Sequence, residues 1–133
     1  HSEVGRRLEF HSSAIGKLLV ALLPRERRHR LVTARPLKRF TSFTLTTEEE
    51  LEVEFASIRK RGYSMSNQGA TLGMFSMAVP IREPGGRALA GLACQVPLIR
   101  MKPEAAEKAV IPQLFETARR MEEIVAADYF PDR

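Results

Sequence analysis

The sequence predicts a domain of the α+β class, in which an antiparallel sheet is flanked by helices. Three observations lead to this class. The chain has 133 residues, a length that suits one compact domain with one hydrophobic core. Segments with apolar residues at helical spacing stand before and after a group of strand-like segments. Short turns join the last of these strands, and short connections require antiparallel pairing.

The first third of the chain is expected to contain one strand and two helices. The strand is expected over residues 4–10. Small residues followed by apolar residues at helical spacing then predict a buried helix over residues 13–23. Pro24 suits the first turn of a second helix, which continues to Leu31. Residues 33–46 have no clear period and are expected to form a long surface connection.

A third helix is predicted from the capping box of Thr47 and Glu50, which stand three residues apart. An apolar stripe at intervals of four and three residues follows, made of Leu51, Phe55 and Ile58. Gly62 is expected to end this helix, because glycine readily adopts the left-handed conformation found there.

Three segments then have strand character, over residues 63–68, 74–82 and 87–96. The glycines after Pro84 predict a hairpin turn between the last two strands. Pro103 opens a long terminal helix with one apolar face, carried by Ala106, Val110, Leu114, Ala118, Met121 and Val125. Pro112 lies inside this pattern and predicts a kink or a short break.

Composition argues against a membrane protein or a disordered chain. Hydrophobic residues make up 44% and charged residues 28% of the sequence, the balance of a globular protein. The longest apolar stretch, residues 18–23, is too short to cross a bilayer, so no membrane partner is expected. No secretory signal is visible. The lone Cys94 can form no internal disulfide and suits a reducing compartment, so the cytoplasm is the expected location.

The net charge of +5 raises the question of nucleic-acid binding. The basic residues are dispersed along the chain, and the acidic residues between positions 48 and 54 interrupt them. Solvated charged faces are therefore expected rather than a DNA-reading surface.

The usual catalytic and metal-binding patterns are not found. The sequence has no zinc-ligand spacing of Cys and His, no Gly-x-Ser-x-Gly elbow and no phosphate-binding loop of the Walker type. Cys94 lies in an apolar strand, where a small core residue is the usual role of cysteine. We therefore expect no enzyme activity, no cofactor and no bound metal.

Four motifs, taken in order, resemble the effector-binding domain of the IclR family of bacterial transcription regulators. They are HSSAIGKLL at residues 11–19, FTLTT at 43–47, RGY at 61–63 and GMFSMAVP at 73–80. The resemblance covers nearly the whole chain from Leu8 onward and is greatest to the branch that responds to aromatic acids such as protocatechuate or hydroxybenzoate. It implies a GAF-like (profilin-like) fold that binds a small organic acid as effector.

The resemblance also implies partners. Residues 1–133 would form one effector-binding domain, and operator DNA would be contacted only by an N-terminal winged helix-turn-helix domain that is absent from this chain. Family members bind palindromic operators, so a homodimer or tetramer is expected.

An effector pocket is predicted from strand alternation together with the resemblance. Its expected lining mixes apolar groups with a few hydrogen-bonding groups, as ligand cavities do. The residues are Leu8, Ala14, Ile15, Ser66, Gln68, Met74, Ser76, Ala93 and Gln95. The two serines are also compatible with ordinary strand hydroxyls that bond within the protein.

The start of the first helix offers an anion site, since unpaired backbone N–H groups and the helix dipole favour a carboxylate there. The alternative is that Ala14 and Gly16 only allow tight packing against the sheet. His11 is expected to make a structural bond that holds this helix start.

Two other function classes stay open at this point. A GAF-type sensor of a different signalling protein would share the fold and the pocket, and the neighbouring domain in the full gene would separate the two. A small-molecule enzyme would reveal itself by turnover of candidate acids that is lost on mutation of Ser76 or Cys94.

Overall fold

A computed structural model describes residues 3–132 and confirms the α+β class. The elements follow one another in the predicted order: α1 (Ala14–Ala21), α2 (Arg25–Thr33), α3 (Glu48–Arg61), β1 (Ser64–Asn67), β2 (Met74–Arg82), β3 (Ala88–Pro97) and α4 (Pro103–Tyr129). No helix among the described residues is long and apolar enough to span a membrane.

The three strands form an antiparallel sheet in the order β1, β2, β3. Since β2 is central, its alternate side chains reach opposite layers of the domain. Phe75 and Met77 lie in the cluster that contains α4, whereas Ala78 lies in the cluster that contains α1 and α3. The sheet therefore separates two hydrophobic cores.

Helix α3 confirms the predicted caps. The Glu50 backbone N–H donates to the Thr47 hydroxyl oxygen over 3.2 Å, and the Thr47 hydroxyl donates to the Glu50 carboxylate over 2.9 Å. The hydrogen bond that the Thr47 hydroxyl donates to this carboxylate, and after it the one from the Thr46 backbone N–H, lower the pKa of Glu50. Gly62 ends the helix with a φ of 88°, and the predicted stripe of Leu51, Phe55 and Ile58 is fully buried.

The predicted strand over residues 4–10 is wrong. Gly5 has a φ of 85°, and the Arg6 N–H donates to the Glu3 carbonyl over 3.2 Å. A left-handed residue inside this turn breaks the extended run that strand pairing needs. Val4 and Leu8 are exposed, and neither belongs to a strand of the sheet.

Of the kink or short break predicted at Pro112, the break is wrong, because α4 runs as one helix from Pro103 to Tyr129. Proline removes one backbone hydrogen bond from a helix interior. Ile111 and Leu114, on either side of it, are buried against the sheet. We attribute the continuity of α4 across Pro112 to the packing of these residues on both sides of it.

Candidate functional site

A cavity of about 400 Å³ lies between the segment before α1, the β1–β2 turn and one face of β2 and β3. We call it the β2–β3 cavity. Its walls combine apolar side chains with hydroxyl, amide and charged groups. They are formed by Glu3, Arg6, Leu8, Ser12, Ser13, Ala70, Thr71, Met74, Ser76 and Gln95.

The sheet register explains the polar centre of this cavity. Ser76 and Gln95 are paired across β2 and β3, so their side chains stand next to each other on one face. Met74, two residues before Ser76, shares that face. The side chains of Thr71, Ser76 and Gln95 make no hydrogen bond to any other described residue. Their hydrogen-bonding capacity is thus available to a ligand.

The start of α1 borders the same cavity through Ser12 and Ser13. Ser13 caps the helix, and its hydroxyl oxygen accepts the Gly16 N–H over 3.0 Å. The N–H groups of Ala14 and Ile15 precede the first intrahelical bond, which Lys17 makes to the Ser13 carbonyl. The positive end of the α1 dipole therefore lies at Ser13, on the border of the β2–β3 cavity.

Gly16 supports the packing role of the small residues at this helix start. A Cβ added there would lie 2.5 Å from the Phe10 Cα and 2.7 Å from the Phe10 carbonyl oxygen. Glycine is therefore required for the close approach of Phe10 to α1. Ala14 is likewise buried in the core, so the small residues at this position serve packing.

A second cavity, of about 390 Å³, lies beside β1, between α3 and the first turn of α4. We call it the β1 cavity. It shares no lining residue with the β2–β3 cavity among the described residues. Its walls are His11, Lys17, Phe43, Leu45, Glu54, Arg61, Met65, Ser66, Asn67, Gly69, Phe75, Pro103, Glu104 and Glu107.

Lys17 is the centre of an internal network in the β1 cavity. Its side chain is only 6% exposed, and its ammonium group donates to the Met65 carbonyl over 2.7 Å. The Glu54 carboxylate lies 3.8 Å from the ammonium and accepts a hydrogen bond of 3.1 Å from Arg61. Burial lowers the pKa of Lys17, and the attraction of Glu54 opposes this shift. Arg61 also donates to the Tyr63 carbonyl over 2.7 Å.

A short wall separates the two cavities. His11 lines the β1 cavity and Ser12 lines the β2–β3 cavity. The Ser66 hydroxyl donates to the Ser12 carbonyl over 2.8 Å and ties this wall to β1. His11 makes the structural contact that its position predicted, since its Nε2 lies 2.7 Å from the Lys38 carbonyl oxygen.

Comparison with known proteins shows the family of this chain. Residues 1–123 match the family model described as bacterial transcriptional regulator IclR, C-terminal. This chain belongs to the IclR family. It is the effector-binding domain of an IclR-type regulator, as the ordered motifs predicted.

The relatives that this chain matches include transcription regulators. SauR of Cupriavidus necator is 42% identical over 101 residues, which cover 76% of this chain and 40% of SauR. The p-hydroxybenzoate hydroxylase transcriptional activator of Acinetobacter baylyi is 30% identical over 122 residues, which cover 92% of this chain and 45% of the activator. The chain thus spans about two fifths of the length of the relatives it matches.

Solved structures share the IclR fold. The inducer-binding domain of PobR from Acinetobacter, a double mutant in complex with 3-hydroxybenzoic acid, superposes with a TM-score of 0.85 at 30% identity. That match covers 92% of this chain and 73% of the PobR chain. The C-terminal domain of Escherichia coli KdgR gives a TM-score of 0.82 at 31% identity and covers 90% of this chain and 72% of KdgR's.

The structure of the IclR domain brings four predicted pocket residues together and leaves five outside the lining. Leu8, Met74, Ser76 and Gln95 line the β2–β3 cavity. The other five lie elsewhere: Ala14 is buried in the core, Ile15 packs against Gly91, Ser66 bonds to Ser12, Gln68 accepts the Gly73 N–H in the β1–β2 turn, and Ala93 is exposed on β3.

Sequence reasoning missed the other walls of the β2–β3 cavity. Arg6 was hidden by the wrong strand, because a strand over residues 4–10 would have carried it along the sheet, and Glu3 lies just before that segment. Ala70 and Thr71 belong to a turn whose path no local pattern reveals. Within residues 3–132, no group of three or more His, Cys, Asp or Glu side chains is placed to hold a metal ion.

Proposed function

We propose that this chain senses a small carboxylic acid, preferably aromatic, in the β2–β3 cavity. The observation that carries the proposal is the position of Ser76 and Gln95, which are neighbours across β2 and β3. Their side chains form no hydrogen bond to any described residue, and they face a cavity bordered by the start of α1. The volume of about 400 Å³ lies in the range of small-molecule sites.

Each part of such an acid has a matching wall. Leu8 and Met74 offer apolar contact to a ring. The Ser76 hydroxyl and the Gln95 amide can donate to a carboxylate or bond a ring hydroxyl. The α1 dipole adds a favourable field for the negative charge. The 3-hydroxybenzoic acid bound to the related PobR domain supports this class of ligand.

The wider role follows from the family. We propose that the acid controls operator binding by a winged helix-turn-helix domain elsewhere in the longer protein, in a cytoplasmic homodimer or tetramer, without catalysis. The relatives are transcription regulators, which supports a role other than that of an enzyme. The dispersed charge of this chain supports contact with DNA through the other domain.

Thermal unfolding with a panel of acids tests the ligand class. We expect 3-hydroxybenzoate, 4-hydroxybenzoate, protocatechuate or a short aliphatic acid to raise the melting temperature. A ligand at 100 times its dissociation constant adds about 2.7 kcal/mol to the free energy of unfolding when it binds only the folded state.

Two variants give the control. Ser76→Leu fills the cavity and should abolish the stabilisation, whereas Ser57→Leu, exposed on α3, should keep it. A panel in which no acid stabilises the wild type, or a Ser76→Leu variant with unchanged affinity, would refute the proposal.

A further inference from the structure

Arg6 is the one positively charged side chain among the described residues that line the β2–β3 cavity. Glu3 is the one negatively charged side chain there. The remaining walls are hydroxyl, amide and apolar groups. The charge that a ligand meets in this cavity is therefore set mainly by two residues before α1.

The turn at Gly5 places both residues at the cavity. Gly5 has a φ of 85°, a conformation that residues with a side chain rarely adopt. The Arg6 N–H donates to the Glu3 carbonyl over 3.2 Å, so the two residues stand at the ends of one turn. Arg7, the next residue, is exposed and does not line the cavity.

We propose that Arg6 determines the selectivity of the β2–β3 cavity for a carboxylate over a neutral ligand of the same shape. The inference rests on the proposed function, because it assumes that this cavity holds the acid. A guanidinium group presents two parallel N–H donors that match the two oxygens of a carboxylate. Ser76 and Gln95 bond a carboxylate and a carboxamide alike, and so they distinguish the two poorly.

Glu3 provides a second test of the role of Arg6, because its negative charge should weaken the binding of an acid that Arg6 strengthens. An anionic ligand near Arg6 also meets the negative charge of Glu3, which weakens its binding. The two residues thus give variants with effects of opposite sign on the same acid. A general effect of surface charge would not depend on which of the neighbouring arginines is removed.

The experiment compares 3-hydroxybenzoate with the neutral 3-hydroxybenzamide by isothermal titration of the purified chain. Arg6→Gln should lower the affinity for 3-hydroxybenzoate by about tenfold or more, because a hydrogen-bonded charge pair is lost. Its affinity for the amide should change by less than about twofold. Arg7→Gln, the matched control, should change neither affinity, and Glu3→Gln should tighten binding of the acid.

Three results would overturn the assignment. The first is an Arg6→Gln variant that binds 3-hydroxybenzoate as the wild type does, while Ser76→Leu abolishes binding; the proposed function would then survive without Arg6. The second is an equal loss in Arg6→Gln and Arg7→Gln. The third is a wild type that binds neither 3-hydroxybenzoate nor any other acid of the panel, which would end the proposed function as well. Melting temperatures without ligand show that each variant is folded.

Discussion

The β1 cavity and the β2–β3 cavity have nearly the same volume, about 390 and 400 Å³, but their polar groups are used differently. In the β1 cavity, the charged groups of Lys17, Glu54 and Arg61 bond to one another and to backbone carbonyls. In the β2–β3 cavity, Ser76 and Gln95 have no described side-chain partner. His11 Nδ1, in a residue that lines the β1 cavity, is buried without a hydrogen-bond partner among the described residues. We propose the β2–β3 cavity as the ligand site because two neighbouring unpaired groups, on Ser76 and Gln95, face it together, whereas the volumes of the two cavities do not distinguish them.

Removal of Glu54 should give the largest change in stability. Glu54→Ala leaves the buried ammonium of Lys17 without its counter-charge, and breaking a buried ion pair costs about 3 kcal/mol or more. Urea unfolding measures this loss. Glu104→Ala, which removes an exposed carboxylate of the same cavity, should change the free energy of unfolding by less than about 0.5 kcal/mol.

The same Glu54→Ala variant should bind acids as the wild type does when measured well below its melting temperature. A loss of acid affinity in proportion to the loss of stability would show that the two cavities do not act separately.

The close packing around α1 should affect stability and, at Gly16, acid binding as well. Gly16→Ala forces its new Cβ against the Phe10 backbone, and we expect a loss of about 2 kcal/mol with weaker acid binding. Gly91→Ala should cost less, about 1 kcal/mol, because its Cβ meets the Ile15 side chain, which can move. Thermal unfolding of both variants tests whether Gly16→Ala loses more stability than Gly91→Ala. Equal losses would contradict the tight approach of Phe10.

A smaller effect, on acid binding alone, is expected at Gln95 in the β2–β3 cavity. Gln95→Ala removes one hydrogen bond to the acid, a loss of about 1 kcal/mol or roughly fivefold in affinity. Its stability should not change, because Gln95 is exposed in the free protein. Asn67→Ala is the matched control on β1, and titration should show wild-type affinity. A loss of affinity in Asn67→Ala, with wild-type affinity in Gln95→Ala, would assign the acid to the β1 cavity.

The smallest effect is the pH dependence of the β1 network. Burial lowers the pKa of Lys17 below 10.5, so at alkaline pH the folded chain binds fewer protons at this group than the unfolded chain does. The contribution of Lys17 to the free energy of unfolding therefore rises as the pH rises toward 10.5. Unfolding curves should show wild type gaining stability relative to Lys17→Met over that range. Lys60→Met, an exposed position, should show no such trend against wild type.

The regular elements of the fold were predictable because their signals are local. The cap of Thr47, the stripe through Phe55 and the stop at Gly62 lie within one helix, and each works through neighbours three or four residues away. The three strands matched within two residues at each end. Residues 4–10 failed because a strand depends on a partner, and the turn at Gly5 directs the segment elsewhere.

The candidate site was predictable only where strand alternation applies. Met74, Ser76 and Gln95 followed from the faces of β2 and β3. Arg6 and Thr71 reach the cavity through turns, whose direction depends on contacts distant in sequence.

The β1 network depends on such a distant contact as well, since the Lys17 ammonium bonds to Met65, 48 residues away. A signal for it was present in the sequence. Lys17 lies on the same helix face as the buried Ala14 and Ala21, where a lysine needs a partner inside the protein.

Nuclear magnetic resonance of the ¹⁵N-labelled chain, titrated with the acid that stabilises it most, tests the central claim most directly. If the β2–β3 cavity holds the acid, the largest changes in backbone amide shifts will fall on Ser12, Ser13, Thr71, Ser76 and Gln95. The amides beside the β1 cavity, such as those of Lys17, Arg61 and Met65, will move little. Largest changes at the β1 cavity, with those of Ser76 and Gln95 unchanged, would contradict the assignment.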